Sequence, residues 1–212
     1  SMVLLTGFEP FDGDSVNPSW EVVRRLQGAT IAGAQVQTLV LLRFWRVARV
    51  LERAVGNHQP AIVIAVGQAG GRADITPERV AINLNDARIA DNAGKKPTDQ
   101  AIQKHGPAAY FSTLPVKAIV QALHRAGVPA SVSHTAGTFV CNHVFYGLMD
   151  MQERYGIQRC GFVHIPFSPD QAALRDSAPS MALDDMVRAL RIVVDITVRR
   201  KRDLRTVGGT TH

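Results

Sequence analysis

The sequence predicts an α/β layered domain, and three observations carry that prediction. Short β-branched or aliphatic runs alternate with amphipathic stretches along the chain. One such run, AIVIAVG (61–67), is apolar throughout, as expected of a central strand buried on both faces. With 212 residues, 46% of them hydrophobic and 20% charged, the chain suits one large domain with a substantial core.

The elements follow in order. MVLLTG reads as a first strand ending on a glycine that permits a sharp turn. NPSWEVVRRLQG reads as a helix, capped by Asn17, with Pro18 in its first turn and Gly28 as its stop. AQVQTLVL is a second strand. FWRVARVLERAVGNH is a second helix, with Val47, Val50, Leu51 and Ala54 on one face. After AIVIAVG the chain changes character: QAGGRADITPERVAINLNDARIADNAGKKP is rich in glycine, proline and charge, and only RVAINL looks like a strand. Long irregular segments inside a compact domain are uncommon and often functional. A helix (LPVKAIVQALHRAG), a strand (ASVS), a helix (FVCNHVFYGLMDMQERYG), a strand (CGFVHIPF) and a final helix (MALDDMVRALRIVVDIT) complete the pattern. Residues 1–198 are expected to form one domain, followed by a basic, frayed tail at 199–212.

Composition narrows the function. No apolar run approaches the roughly 18 residues of a membrane span, and the opening lacks a basic leader with a long apolar stretch. Ser1 before Met2 looks like an expression scar. A cytoplasmic location is expected, and the two cysteines, Cys141 and Cys160, fit a reducing compartment better than a disulfide framework. The net charge of +6 is concentrated in the tail, where Arg199, Arg200, Lys201, Arg202 and Arg205 face only Asp203. A basic terminus of this kind is more often a solvated end than a nucleic-acid handle. No paired-histidine motif at ligand spacing is present, so no metal and no cofactor is expected.

Ligands of open α/β sheets bind beyond the carboxyl ends of the strands. Glu78 follows AIVIAVG, Cys141 follows ASVS, and His164 ends CGFVHIP. A helix beginning near Phe139 places the Cys141 thiol in its first turn, where the dipole and free N–H groups favour a thiolate. The same N–H groups can meet a developing oxyanion. Cys160, inside an apolar strand, reads as a small buried hydrophobe. A cysteine nucleophile needs an imidazole within hydrogen-bond reach. His164 is the first candidate and His134, in the adjoining turn, its rival. A third group should fix the imidazole, but spacing does not choose Glu78 over Asp74, Asp86 or Asp91.

Two segments, GQAGGRADITPERVAIN (67–83) and SVSHTAGTFVCN (131–142), resemble the signature segments of the pyroglutamyl peptidase I family of cysteine peptidases. LLTGFEPFDGDSVNPSW and GFVHIPF resemble that family too, in the same order, so the likeness runs from about residue 3 to about residue 195. It implies a three-layer α/β/α sandwich with a mixed, mostly parallel central sheet. It places the nucleophile on Cys141, the base on His164 and the orienting acid on Glu78. Arg88, in DARIADN, falls on an oxyanion-stabilising position, and the pyroglutamate pocket falls on Phe8, Phe11, Asn17, Gln68, Ile89 and Val140. The implied substrates are peptides with an N-terminal pyroglutamyl residue, and the implied assembly is a homotetramer without metal. The basic tail is the departure from the family. A flat neutral lactam suits aromatic walls and a few amide partners, in keeping with that pocket.

Two other readings compete. A nucleoside-phosphorylase-like transferase would use GQAGGR to cradle phosphate, although the segment lacks a Walker lysine and dinucleotide spacing. A nucleic-acid-binding protein would use the tail and bind with steep salt dependence.

Overall fold

The computed structural model describes residues 1–10, 16–42, 46–91 and 93–207. A six-stranded sheet runs in the order β2 (Thr30–Ile31), β3 (Ala34–Leu41), β1 (Met2–Phe8), β4 (Ile62–Gln68), β8 (Arg159–Ile165), β5 (Thr76–Pro77). The four middle strands are mutually parallel, and the two short edge strands, β2 and β5, are antiparallel to their neighbours. The sheet is therefore mixed and mostly parallel. Short antiparallel ends of this kind limit the exposed ladder of an open sheet.

Alternation along the strands decides what lies on each face. Val3, Leu5, Ile62, Ile64, Val66, Val163 and Ile165 point to one side. There they pack with Val22 and Val23 of α1 (Pro18–Arg24), Ile119 and Leu123 of α3 (Val116–Arg125), and Met186, Leu190 and Val193 of α6 (Leu183–Arg199). Leu4, Phe8, Val63, Ala65, Cys160 and Phe162 point to the other side. They meet Leu51 and Val55 of α2 (Val47–His58) and Val144, Phe145 and Leu148 of α4 (Cys141–Met151). Both sheet faces are covered, which makes three α/β/α layers. The central strands are apolar on both sides for that reason.

Local chemistry explains the first helix. The Asn17 side chain accepts from the Ser19 N–H at 2.9 Å, and Pro18 occupies a first-turn position that needs no donor. A short helix α5 (Pro169–Ala173) begins with a capping box between Ser168 and Gln171.

The segment ASVS differs from its reading as a sheet strand. It forms isolated parallel bridges, Ala130 to Ile75 and Ser133 to Glu78. Between those bridges lies Pro77, which has no N–H to extend a ladder. RVAINL supplies β6 (Val80–Ile82), which pairs with β7 (Ala109–Phe111) in a separate two-stranded sheet. The chain after α6 also differs from a frayed end over residues 203–206. Asp203 accepts from the Lys117 and Ala118 N–H groups at 3.1 and 2.9 Å, and Lys117 Nζ donates to the Thr206 carbonyl. A carboxylate at the start of α3 satisfies donors that the helix leaves open and complements its dipole. No helix of the described residues is long and apolar enough to cross a membrane.

Candidate active site

α4 begins at Cys141, so the thiol lies in the first turn of a helix with no side-chain cap and no acidic residue there. The positive end of the helix dipole thus falls on the sulfur. The preceding residue, Val140, has φ 30° and ψ −64°. A β-branched residue in that region carries strain of order 1–3 kcal/mol. Buried surroundings hold it there. Val140 is itself buried, and its carbonyl accepts from the Val144 N–H at 2.9 Å.

Asn142 fastens the same turn to the small sheet. Its Oδ1 accepts from the Ile82 N–H at 3.0 Å, and its Nδ2 donates to the Ile82 and Leu84 carbonyls at 2.9 and 3.2 Å. A planar amide thereby completes a piece of strand ladder. Neither Asn142 nor this clasp was anticipated from sequence, because an asparagine beside a cysteine carries no periodic signal.

Strand register brings the thiol to the imidazole. Gly67 of β4 lies directly beside His164 of β8. A Cβ on Gly67 would stand 2.9 Å from Cys141 Sγ and 2.7 Å from Phe162 Cζ. Sulfur therefore rests on the bare backbone of Gly67, on the strand that pairs with that of His164. Gly67→Val is accordingly expected to displace Sγ and lower kcat by about 10²-fold. Circular dichroism should remain native while steady-state turnover falls.

His164 Nδ1 lies 2.7 Å from Glu78 Oε1, and both side chains are buried. A carboxylate only accepts, so Nδ1 carries the proton and Nε2 is left for the thiol side. Burial works against the imidazolium. The charge and hydrogen bond of Cys141, then the hydrogen bond and charge of Glu78, outweigh it and raise the His164 pKa from 6.5 to about 9. Of the four carboxylates that spacing left open, Glu78 is the one bonded to His164. Asp74 accepts from Ser131, Asp86 from the Asp99 N–H, and Asp91 from the Ala93 and Lys95 N–H groups. His134 is exposed in the turn before α4.

Glu78 has a second neighbour that the sequence reading passed over. Arg72 Nη1 donates to the same Oε1 at 2.7 Å and to Thr76 Oγ1 at 2.8 Å, while Nη2 donates to the Thr135 carbonyl at 2.9 Å. An arginine in GGRAD six residues before a glutamate was the available signal.

Cys160 is fully buried among Leu148, Met149 and Phe162. Burial pushes its thiol up to about 12, with a smaller opposing hydrogen bond from Thr113. It is an inert core thiol by environment.

The remaining expected residues are spread more widely. Phe8 is 1% exposed and packs 6.4 Å, centroid to centroid, from Phe162. Its ring lies buried at the end of β1. Asn17 is committed to the α1 cap and donates to the Glu9 carbonyl at 3.2 Å. Gln68 ends β4, its Oε1 accepting from Gln171 Nε2 at 2.8 Å. Ile89 is 52% exposed. Arg88 is exposed on the loop that Asp86 pins to the segment before Cys141, through Asp86 N–H to Thr138 O at 2.8 Å and Thr138 Oγ1 to Asp86 O at 2.7 Å. Phe11 lies outside the described residues. No group of three or more His, Cys, Asp or Glu side chains among the described residues is arranged to hold a metal.

A helix-start cysteine, an imidazole and a carboxylate gathered beyond the ends of the parallel strands are the groups that thiol hydrolysis uses. Comparison with known proteins narrows the class. The family model described as pyroglutamyl peptidase matches residues 1–200. Pyrrolidone-carboxylate peptidase 1 of Ralstonia nicotianae is 59% identical over 212 residues, covering 99% of each chain. The pyrrolidone-carboxylate peptidase of Klebsiella pneumoniae is 56% identical at the same coverage. The crystal structure of pyroglutamyl peptidase I from Bacillus amyloliquefaciens superposes with a TM-score of 0.94 at 52% identity, over 97% of this chain and 99% of that one. This chain belongs to the pyroglutamyl peptidase family, a family of cysteine-type hydrolases.

Proposed function

We propose that this protein removes an N-terminal pyroglutamyl residue from peptides, with Cys141 as nucleophile, His164 as general base and acid, and Glu78 orienting His164. The observation that carries the reading is the buried line from the first turn of α4 through His164 to Glu78, with its 2.7 Å link. The Cys141 thiolate attacks the pyroglutamyl carbonyl carbon, and the carbonyl π electrons move to oxygen. First-turn N–H groups of α4 and the Arg88 guanidinium stabilise that oxyanion. The C–N bond then breaks as His164 gives its Nε2 proton to the leaving amine, leaving a pyroglutamyl thioester. Water, deprotonated by His164, cleaves the thioester and restores the thiol. Membership of the family and agreement of the whole chain with its solved structures support this over a phosphorylase-like or nucleic-acid-binding role. A homotetramer in the cytoplasm is part of the same reading, as is hydrolysis without a metal.

The pocket reading is tested by what it refuses. Phe8, Phe11, Asn17, Gln68, Ile89 and Val140 would hold a neutral lactam. A peptide beginning with glutamine or glutamate presents an ammonium group there, stripped of water and given no matched carboxylate. Proline keeps the ring, lacks the lactam carbonyl and is itself cationic. A site that hydrogen-bonds a ring carbonyl rejects an analogue lacking it by about 10⁴-fold. A competition assay across pyroglutamyl-, prolyl-, glutaminyl- and glutamyl-amides should show cleavage of the first alone. Comparable cleavage of the prolyl amide would overturn the pocket.

A further inference from the structure

Glu78 is fully buried, and its two oxygens are unequally served. Oε1 takes both His164 Nδ1 and Arg72 Nη1 at 2.7 Å, while Oε2 has no hydrogen-bond partner. Arg72 and His164 are therefore the whole polar support of this carboxylate among the described residues. Arg72 is also anchored away from Glu78, at Thr76 Oγ1 and at the Thr135 carbonyl, six residues before Cys141. One guanidinium thus ties three segments together: the glycine-rich loop after β4, the residues at β5, and the turn leading into α4.

We infer that Arg72 is a positioning residue of the hydrolytic site, holding the Glu78 carboxylate in place so that it accepts from His164 Nδ1. The inference rests on the proposed roles of Cys141, His164 and Glu78. A buried carboxylate without a cation beside it takes up a proton readily. A protonated Glu78 would offer an O–H to Nδ1, so the imidazolium that faces the Cys141 thiolate would lose its acceptor. Neutral His164 would keep its proton on Nε2, unable to take one from the hydrolytic water. Arg72 prevents this by supplying a fixed positive charge and two further hydrogen bonds that hold it square to Oε1. Its reach to Thr135 ties the orienting carboxylate to the segment that carries the nucleophile.

The charged and titratable groups around Glu78 are few. Arg72 approaches from its own loop, His164 from β8 and, beyond His164, Cys141 from α4. Asp74 is occupied by Ser131 Oγ at 2.6 Å, and Arg79 lines a separate cavity beside Phe111 and Asp203. Of these, the Arg72 guanidinium is the permanent cation bonded to the Glu78 carboxylate.

The test is the pH dependence of kcat/KM on a chromogenic pyroglutamyl amide for wild type, Arg72→Met, Arg72→Lys and the double variant Arg72→Met with Glu78→Gln. Arg72→Met should lose about 10²-fold in kcat/KM near neutrality. Its acidic limb should move to higher pH, because the buried carboxylate has lost the cation bonded to it. Arg72→Lys should restore most of the rate and return the limb, as a single-point charge without the fork. The double variant should be slow but free of the shifted limb, since no carboxylate remains to titrate. A uniform loss at all pH values in Arg72→Met, with the limb unmoved, would overturn the inference. So would a shifted limb that persists in the double variant. Thermal melts of each variant at the assay pH identify any that fail to fold, and Arg72→Lys then carries the test through its limb position. Failure of the underlying site reading shows separately, as an iodoacetamide adduct on Cys141 that leaves wild-type turnover intact.

Discussion

Cys141→Ser should retain the fold and lose about 10⁶-fold in kcat/KM on a pyroglutamyl amide, the scale seen when a covalent nucleophile is removed from a working triad. Serine is nearly isosteric, and the first turn of α4 remains held by the Asn142 clasp on β6. What disappears is thiolate character: at this site a hydroxyl has neither the low pKa nor the polarisable lone pair of sulfur. Cys160→Ala is the matched control. It removes a core sulfur packed on Met149 and Phe162, at a cost of roughly 1–2 kcal/mol in stability. Turnover should remain near wild type. Steady-state assays with parallel thermal melts separate the two outcomes. A dead Cys160→Ala beside an active Cys141→Ser would reverse the assignment.

The second large effect is expected from Glu78→Gln, at about 10³-fold in kcat. The amide fits the space of the carboxylate and can still accept at one position. Oε1, however, now lacks the charge that balances both Arg72 and the imidazolium. The other position becomes an NH₂ group where Oε2 had no partner, which leaves buried donors unsatisfied. The sign of the pH effect follows from His164. Glu78 is among the groups that raise His164 to about 9, so its neutral replacement lets the imidazolium deprotonate at lower pH. The alkaline limb of the kcat/KM profile should move down, opposite in sense to the acidic-limb shift expected for Arg72→Met. A profile unchanged in shape would remove Glu78 from the relay.

The layered fold was legible in the sequence because the central strands are uniformly apolar and the helices between them are not. The start of α1 could be placed from Asn17 and Pro18, but its end could not: the helix stops at Arg24 and the chain reaches Gly28 through a turn. β2, β5 and β7 were not legible, since two- and three-residue strands exist only through the partners they meet. ASVS failed as a strand for a related reason: Pro77 on its neighbour removes the donor that would extend the ladder. Asp203 docking on α3 depends on an encounter between residues 85 positions apart, which no local pattern encodes.

At the site, Cys141 and His164 could be nominated from their positions at a helix start and a strand end. Spacing did not choose Glu78 among four acids, and the family resemblance did; the presence of Arg72 needed the register of β4, β8 and the 75–79 segment. Gly67 belongs with these. Its role depends on the sulfur that rests upon it, and within AIVIAVG it reads only as the end of a run. The strain at Val140 was equally invisible, because a valine in TFVCN has no mark of a positive φ.

The most direct test is alkylation with iodoacetamide at pH 6 to 7, followed by peptide mapping and assay of the labelled enzyme. A thiolate held by the start of α4 and the His164 imidazolium should react well below the free-thiol pKa of about 8.5. One equivalent should be found on Cys141 and none on Cys160, turnover of the pyroglutamyl amide should fall in proportion to labelling, and substrate should protect. An enzyme carrying a full adduct on Cys141 and retaining wild-type turnover would contradict the account.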